Sequence, residues 1–198
     1  LTRPPSQSRQ ARAEELAERL GARPLVLVGM MGAGKTTVGR RLASRLDRDF
    51  LDSDEEIEKA AQMSIPEIFE QRGEAEFRAG ETRVIGRVLK EKGIVLATGG
   101  GAFVNAETRE LVKAEAISVW LKADVDVLFE RVSRRSNRPL LKTENPRATL
   151  EKLIAERYPI YAEADITVMS REVPQDVVAG DVIDAVAAYL KRQDTTHG

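Results

Sequence analysis

The sequence predicts an α/β domain layered around a parallel sheet. Three observations predict it. Strand-like and helix-like segments alternate along the body of the chain, Pro24 to Val28 is an unbroken apolar run, and that run ends in a glycine-rich loop that opens a helix. Taken in order, Leu1 to Gln10 are rich in Pro, Ser, Gln and Arg and read as a disordered tail. Ala11 to Leu20 carry Leu16 and Leu20 at helical spacing, and Gly21 ends that short helix. After the first strand, Lys35 to Leu46 form a helix with Val38, Leu42 and Leu46 on one face. Phe50 to Asp52 are a second strand, and Asp54 caps a helix to about Ala61. Ser64-Ile65-Pro66-Glu67 combine an N-cap, an early-turn Pro and a capping-box Glu, and open a helix through Phe69.

A long charged helix from about Glu74 to Lys90 leads to a third strand, Ile94 to Ala97, closed by Thr98-Gly99-Gly100-Gly101. Ile117 to Leu121 and Ile166 to Val168 are the fourth and fifth strands. Between them lie a helix over Asp124–Arg134, an Arg/Asn/Pro-rich segment from about Ser133 to Pro146, and another helix to Arg157. A final amphipathic helix covers about Gln175 to Lys191. The expected organisation is an N-terminal extension (1–23), one domain (24–192) and a disordered tail (193–198).

Composition narrows the function. The 198 residues suit one domain with a sizeable core, and 42 % apolar with 32 % charged residues is the balance of an ordinary soluble protein. A formal net charge of −1 leaves no global basic field to gather nucleic acid or an anionic membrane. Without Cys there are no disulfides and no thiolate metal sites. No apolar run approaches the ~18 residues of a membrane span. The Arg-rich start lacks the apolar stretch of a signal peptide, so the cytoplasm is the expected location.

Gly29-Met30-Met31-Gly32-Ala33-Gly34-Lys35-Thr36 is G-x-x-x-x-G-K-T between a strand and a helix, the setting in which this motif binds nucleotide phosphates. Its glycines let backbone N–H groups approach phosphate oxygens, and the helix N-terminus adds partial positive charge. Lys35 is expected at the β/γ-phosphates and Thr36 at Mg²⁺, so ATP and Mg²⁺ are the expected cofactors. Asp52 and Asp54, two apart on extended backbone, would point the same way, one near the metal and one toward an acceptor hydroxyl; a plain helix cap by Asp54 is the competing reading. Arg78 (with Glu81 three residues on), Arg138 and Arg157 are either solvated surface cations or grips for a planar carboxylate. Thr98 to Gly101 is either a tight turn or a source of bare N–H groups beside the ligand crevice at a strand's carboxyl end.

The segments Gly29 to Gly39, Phe50 to Asp54, Ile68-Phe69, Gly73-Glu74, Phe77-Arg78, Gly99-Gly100-Gly101, Arg138 to Leu141 and Arg157 to Tyr161 stand in the order and spacing of shikimate kinase, which the chain resembles from about Pro24 to Leu190. The resemblance implies a three-layer α/β/α sandwich with a five-stranded parallel sheet, the P-loop kinase fold. It implies transfer of the ATP γ-phosphate to the 3-hydroxyl of shikimate in aromatic amino-acid biosynthesis. It also implies Lys35, Asp54 and Arg138 as catalytic residues, and Gly32, Ala33, Gly34, Lys35, Thr36, Thr37, Arg131, Arg138 and Pro174 around ATP. Asp54, Arg78, Gly99, Gly100, Gly101 and Arg157 would hold shikimate, with Phe69 and Phe77 as apolar walls. Thr36 and Asp52 would hold Mg²⁺, directly or through water. The lid would cover about 133–146, and Arg134 and Arg135 make it unusually basic. The expected partner is shikimate alone, with no nucleic acid and no membrane, and the expected state is a monomer.

Two alternatives remain at this level. One is a small kinase for gluconate or a nucleoside monophosphate; the other is a non-catalytic ATP-binding module, which predicts loss of Lys35, Asp54 or the lid arginine. Trp120 and the adjacent Met30 and Met31 read as packing residues, and His197 as an unremarkable tail residue.

Overall fold

Five parallel strands form one sheet in the order β2-β3-β1-β4-β5, with β1 Leu25–Val28, β2 Asp49–Asp52, β3 Ile94–Ala97, β4 Ile117–Lys122 and β5 Ile166–Met169. The computed structural model describes residues 5–134 and 143–196. The central strand β1 is buried throughout and sits between β3 (Leu25 opposite Val95) and β4 (Leu25 opposite Ile117). Burial on both faces is what its unbroken apolar run requires. One layer holds α1 (Pro5–Leu20), α2 (Lys35–Leu46) and the last helix, α8 (Gln175–Thr196), packed on one another. The other holds α4 (Ile65–Val88), α5 (Ala106–Glu115), a 3₁₀ turn (Ala102–Val104) and α7 (Pro146–Tyr161). Helix α3 (Ser53–Ala61) packs on α4, and α6 (Val125–Ser133) on α7.

Several elements differ from the sequence expectation. Helix α1 begins at Pro5, so residues 5–10 continue the helix instead of forming a tail; Pro suits a first helical turn, and Ala13, Leu16 and Leu20 anchor the helix in the core. Helix α5 was not expected. Asn105 caps it, accepting from Glu107 N–H at 2.8 Å, and its Thr108 and Val112 face inward. A helix is the usual crossover between two parallel strands such as β3 and β4, and that rule would have found it. Helix α7 runs past Arg157 through Pro159 to Tyr161, because Tyr158 and Tyr161 pack into the core. Helix α8 runs to Thr196, five residues beyond Lys191, where a tail was expected from 193.

The cap of α3 is Asp52, not Asp54: Asp52 Oδ1 accepts the Asp54 N–H at 3.1 Å. The Ser64 capping box of α4 is present as expected, with the Ser64 N–H donating to Glu67 at 2.8 Å. The two helices expected over 64–90 are both present within the span of α4 and meet at a kink at Gly73, whose φ of 79° is non-helical. Among the described residues, no helix is long and apolar enough to cross a membrane.

Candidate active site

The site lies at the carboxyl ends of β1, β2 and β3, where the loops after them converge. β1 delivers the chain to the glycine loop, and α2 starts at Lys35. Gly34, just before α2, has φ 92°, and a Cβ there would lie 2.6 Å from Gln175 Oε1. At Gly29, φ 136°, a Cβ would lie 2.7 Å from the Leu121 carbonyl and 3.2 Å from the Trp120 ring. Only glycine lets the loop lie this close to the end of β4. The start of α2 therefore presents its N–H groups to a cavity of about 370 Å³ that Gly32, Gly34, Lys35, Thr36 and Thr37 line on one side. Lys35 is only 9 % exposed, and its Nζ donates to the Gly29 and Met30 carbonyls at 2.7 and 2.9 Å. Ala33 is fully buried behind the loop, with its carbonyl accepting from Ser170 Oγ at 2.7 Å.

Asp52 and Asp54 line the same cavity, with Thr98, Gly99 and Gly100. Asp52 ends β2, while Asp54 belongs to the first turn of α3, so the turn between strand and helix brings them to one cavity, not shared extended backbone. Thr36 Oγ1 donates to Asp52 Oδ2 at 2.9 Å. A hydroxyl and a carboxylate side by side suit a hard cation that keeps most of its waters, as Mg²⁺ does. Among the described residues, no cluster of three or more His, Cys, Asp or Glu forms a protein-only metal cage. Asp54 is so close to Gly99 that a Cβ there would lie 2.6 Å from Asp54 Oδ1. Burial first, and then the charge of Asp52, push the Asp54 carboxyl above the usual carboxylate range, against the pull of Lys35.

The arginines reach this edge from two helices. Arg78, on α4, donates to Glu81 at 2.7 Å, and its guanidinium would stand 2.6 Å from a Cβ on Gly101. Glu81 is 1 % exposed, and burial raises its pKa while Arg78 opposes the rise. Arg157, on α7, donates from Nη1 to the Gly100 carbonyl at 3.2 Å. Both guanidiniums thus flank the glycine run, although neither lines the cavity itself, and a guanidinium in such a place is the side chain type that pairs with a planar carboxylate.

On the other side of the loop, Arg131 on α6 lines the cavity and donates to Gly32 O (3.3 Å), Ser170 Oγ (2.9 Å) and Arg171 O (2.7 Å), tying the glycine loop to the segment before α8. Pro174 is exposed at that segment, and its neighbour Gln175 lines the cavity. Phe77 is buried in a separate cluster with Ile57 and Ile68. Phe69, 37 % exposed, stacks on it with centroids 4.5 Å apart, and neither ring lines the cavity. Phe77 instead carries the Arg78 guanidinium 5.0 Å above its ring. Arg138 and Arg135 lie outside the described residues; Arg134 lines the cavity. Sequence reasoning missed Gln175 and Ser170, which belong to no motif and reach the glycine loop only through the fold. It also assigned no role to Tyr161, whose hydroxyl reaches Gly100.

Comparison with known proteins shows the family. The family model for shikimate kinase matches residues 31–187. Shikimate kinase from Rhodopseudomonas palustris is 57 % identical over 182 residues, covering 92 % of this chain and 90 % of its own. That from Mesorhizobium japonicum is 53 % identical over 187 residues, covering 94 % and 90 %. The solved structure of shikimate kinase from Acinetobacter baumannii in complex with shikimate has a TM-score of 0.81 at 42 % identity, over 87 % of this chain and 97 % of that one. A gluconokinase from Sinorhizobium meliloti has a TM-score of 0.61 at 16 % identity, a likeness of fold alone. The P-loop kinase fold and the identity shared along most of the chain lead to one conclusion: the chain belongs to the shikimate kinase family.

Proposed function

We propose that this chain transfers the γ-phosphoryl group of ATP to the 3-hydroxyl of shikimate, giving shikimate 3-phosphate and ADP in aromatic amino-acid biosynthesis. The observation that carries the reading is one cavity that opens on the phosphate loop, on Asp54 and on the glycine run flanked by Arg78 and Arg157. Gly32, Ala33, Gly34, Lys35, Thr36 and Thr37 cradle the triphosphate, and Arg131 and Pro174 bound the adenine. Arg78, Arg157 and the N–H groups of Gly100 and Gly101 hold the carboxylate, with Gly99 beside them anchored to Ser53, and this sets the ring with one hydroxyl at Asp54. Phe69 and Phe77 back this region by seating Arg78.

The acceptor oxygen attacks the γ-phosphorus, its bond to phosphorus forms as the bond to the β,γ-bridging oxygen breaks, and ADP leaves. Asp54 orients the hydroxyl and takes up its proton; its raised affinity for protons suits that task. Lys35 and Arg138 neutralise charge on the equatorial oxygens. Thr36 and Asp52 would hold Mg²⁺, which when bound supplies further positive charge at the phosphates. Charge and position account for most of the catalysis, because this reaction asks little of a base.

ADP release measured with shikimate, gluconate and AMP in turn tests the assignment. Saturable release with shikimate alone is expected. Equal release with gluconate or AMP would overturn it.

A further inference from the structure

Tyr161 is the largest fully buried side chain among the described residues, at 0 % exposure, and it does not line the cavity. It donates instead to the carbonyl of Gly100, with Met30 Sδ 3.8 Å away. The same carbonyl accepts from Arg157, one turn earlier on α7. Gly100 is the middle of three consecutive glycines, the stretch of backbone with the most conformational freedom in the site. Few contacts hold that run in shape. Ser53 Oγ accepts the Gly99 N–H at 2.9 Å, the Gly99 and Gly101 carbonyls close the 3₁₀ turn, and Tyr161 and Arg157 share the Gly100 carbonyl.

We propose that Tyr161 is a positioning residue for the substrate carboxylate, holding the Gly100–Gly101 peptide in place when Arg157 is drawn from the Gly100 carbonyl to the acid. The inference rests on the carboxylate-clamp assignment of the preceding section. A planar trans peptide points its C=O and N–H in opposite directions, so a carbonyl fixed toward α7 turns the Gly101 N–H away from α7. Arg78 presses against the α-carbon of Gly101, so a shift of this peptide also displaces the second guanidinium of the clamp. Burial raises the Tyr161 phenol to about 12, so it remains a donor at neutral pH. Its ring packs near Trp120, with centroids 6.0 Å apart, and this leaves the hydroxyl little freedom to choose another acceptor.

Tyr161→Phe deletes the hydroxyl and keeps the ring. Two acceptors are compared in the parent and the variant: shikimate, and the analogue with a hydroxymethyl group in place of the carboxylate. In the parent, kcat/KM should favour shikimate by a hundredfold or more. In Tyr161→Phe, KM for shikimate should rise about five- to twentyfold, the preference should shrink by a similar factor, and KM for ATP should stay within twofold. KM and the preference do not depend on the fraction of folded enzyme, so partial unfolding leaves the comparison intact. 4-Aminophenylalanine at 161, which again donates an N–H, should return the preference toward the parent value. A parent that prefers shikimate while Tyr161→Phe keeps the full preference would overturn the role of Tyr161 and leave the clamp standing. A parent that does not discriminate would overturn the clamp itself, and this inference with it. An equal rise in KM for ATP would mark Tyr161 as a general support of the fold.

Discussion

Asp54 carries opposite demands from chemistry and from folding. Its carboxyl is raised by burial and by Asp52. Taking a proton from the acceptor requires the ionised form, so kcat/KM for shikimate should fall on the acid side at a pH above the ~3.9 of an ordinary Asp, as a pH–rate profile would show. Stability runs the other way. A group that holds its proton more tightly in the folded state contributes fully below its unfolded pKa and loses that contribution as pH rises through the folded pKa. Asp54→Asn removes the buried charge, so its melting temperature relative to the parent should be most favourable near pH 8, and the advantage should shrink toward pH 5. Calorimetry across that range checks the sign. For the clamp, Arg157→Ala should raise KM for shikimate by roughly 1.5–3 kcal/mol of lost charge-assisted binding, about ten- to a hundredfold, with a smaller effect on kcat. Lys35→Ala should mainly lower kcat. Unchanged shikimate kinetics in Arg157→Ala would remove that residue from the clamp. The residue types of this site were legible from motif spacing, yet their arrangement was not. Spacing alone offered Asp54 as a helix cap, and it is the strand-to-helix turn that gives the capping role to Asp52 and leaves Asp54 for the cavity.

At the scale of elements, α1 shows how a weak local signal becomes a firm structural part. The helix starts before the span matched by the family and is polar over much of its length, but it packs on α2 and α8. Leu16 is 1 % exposed, and Arg48 donates to the carbonyls of Gly21 and Arg23 at 2.7 Å each, closing the helix end. Leu16→Ala should cost about 2–5 kcal/mol. For a domain of this size that is a fall in Tm of about 4–20 °C, which differential scanning fluorimetry would resolve. KM for both substrates should change little, since α1 does not line the cavity. The strands were the easiest elements to read because buried parallel strands are unbroken apolar runs. Helix ends were the hardest. The expected end of α7 at Arg157 falls short because Tyr158, just before Pro159, and Tyr161, just after it, gain more by burial than the one lost backbone bond costs. Helix α5 was hidden because its apolar positions are few and only the topology demands it.

For the whole molecule, the strand order sets the site across both helical layers: the glycine loop opens α2 on one side, and the glycine run leads to α5 on the other. Arg131 spans from α6 to the segment before α8, so a nucleotide in the cavity bears on several layers at once. ADP at about a hundred times its Kd should then stabilise the fold by about 2.7 kcal/mol, raising Tm by about 5–11 °C. Trp120, beside the α-carbon of Gly29, has a further consequence. It is the chain's one indole, and it lies between Lys122, whose Nζ sits 5.3 Å from its ring, and the edge of Tyr158. Its ring nitrogen is buried without a hydrogen-bond partner among the described residues. The protein therefore carries a built-in optical gauge at the root of its phosphate loop. Excitation at the red edge of tryptophan absorption, during a titration with ADP, should give a saturable change in emission that Lys35→Ala weakens, letting occupancy be followed without a dye, a label or turnover.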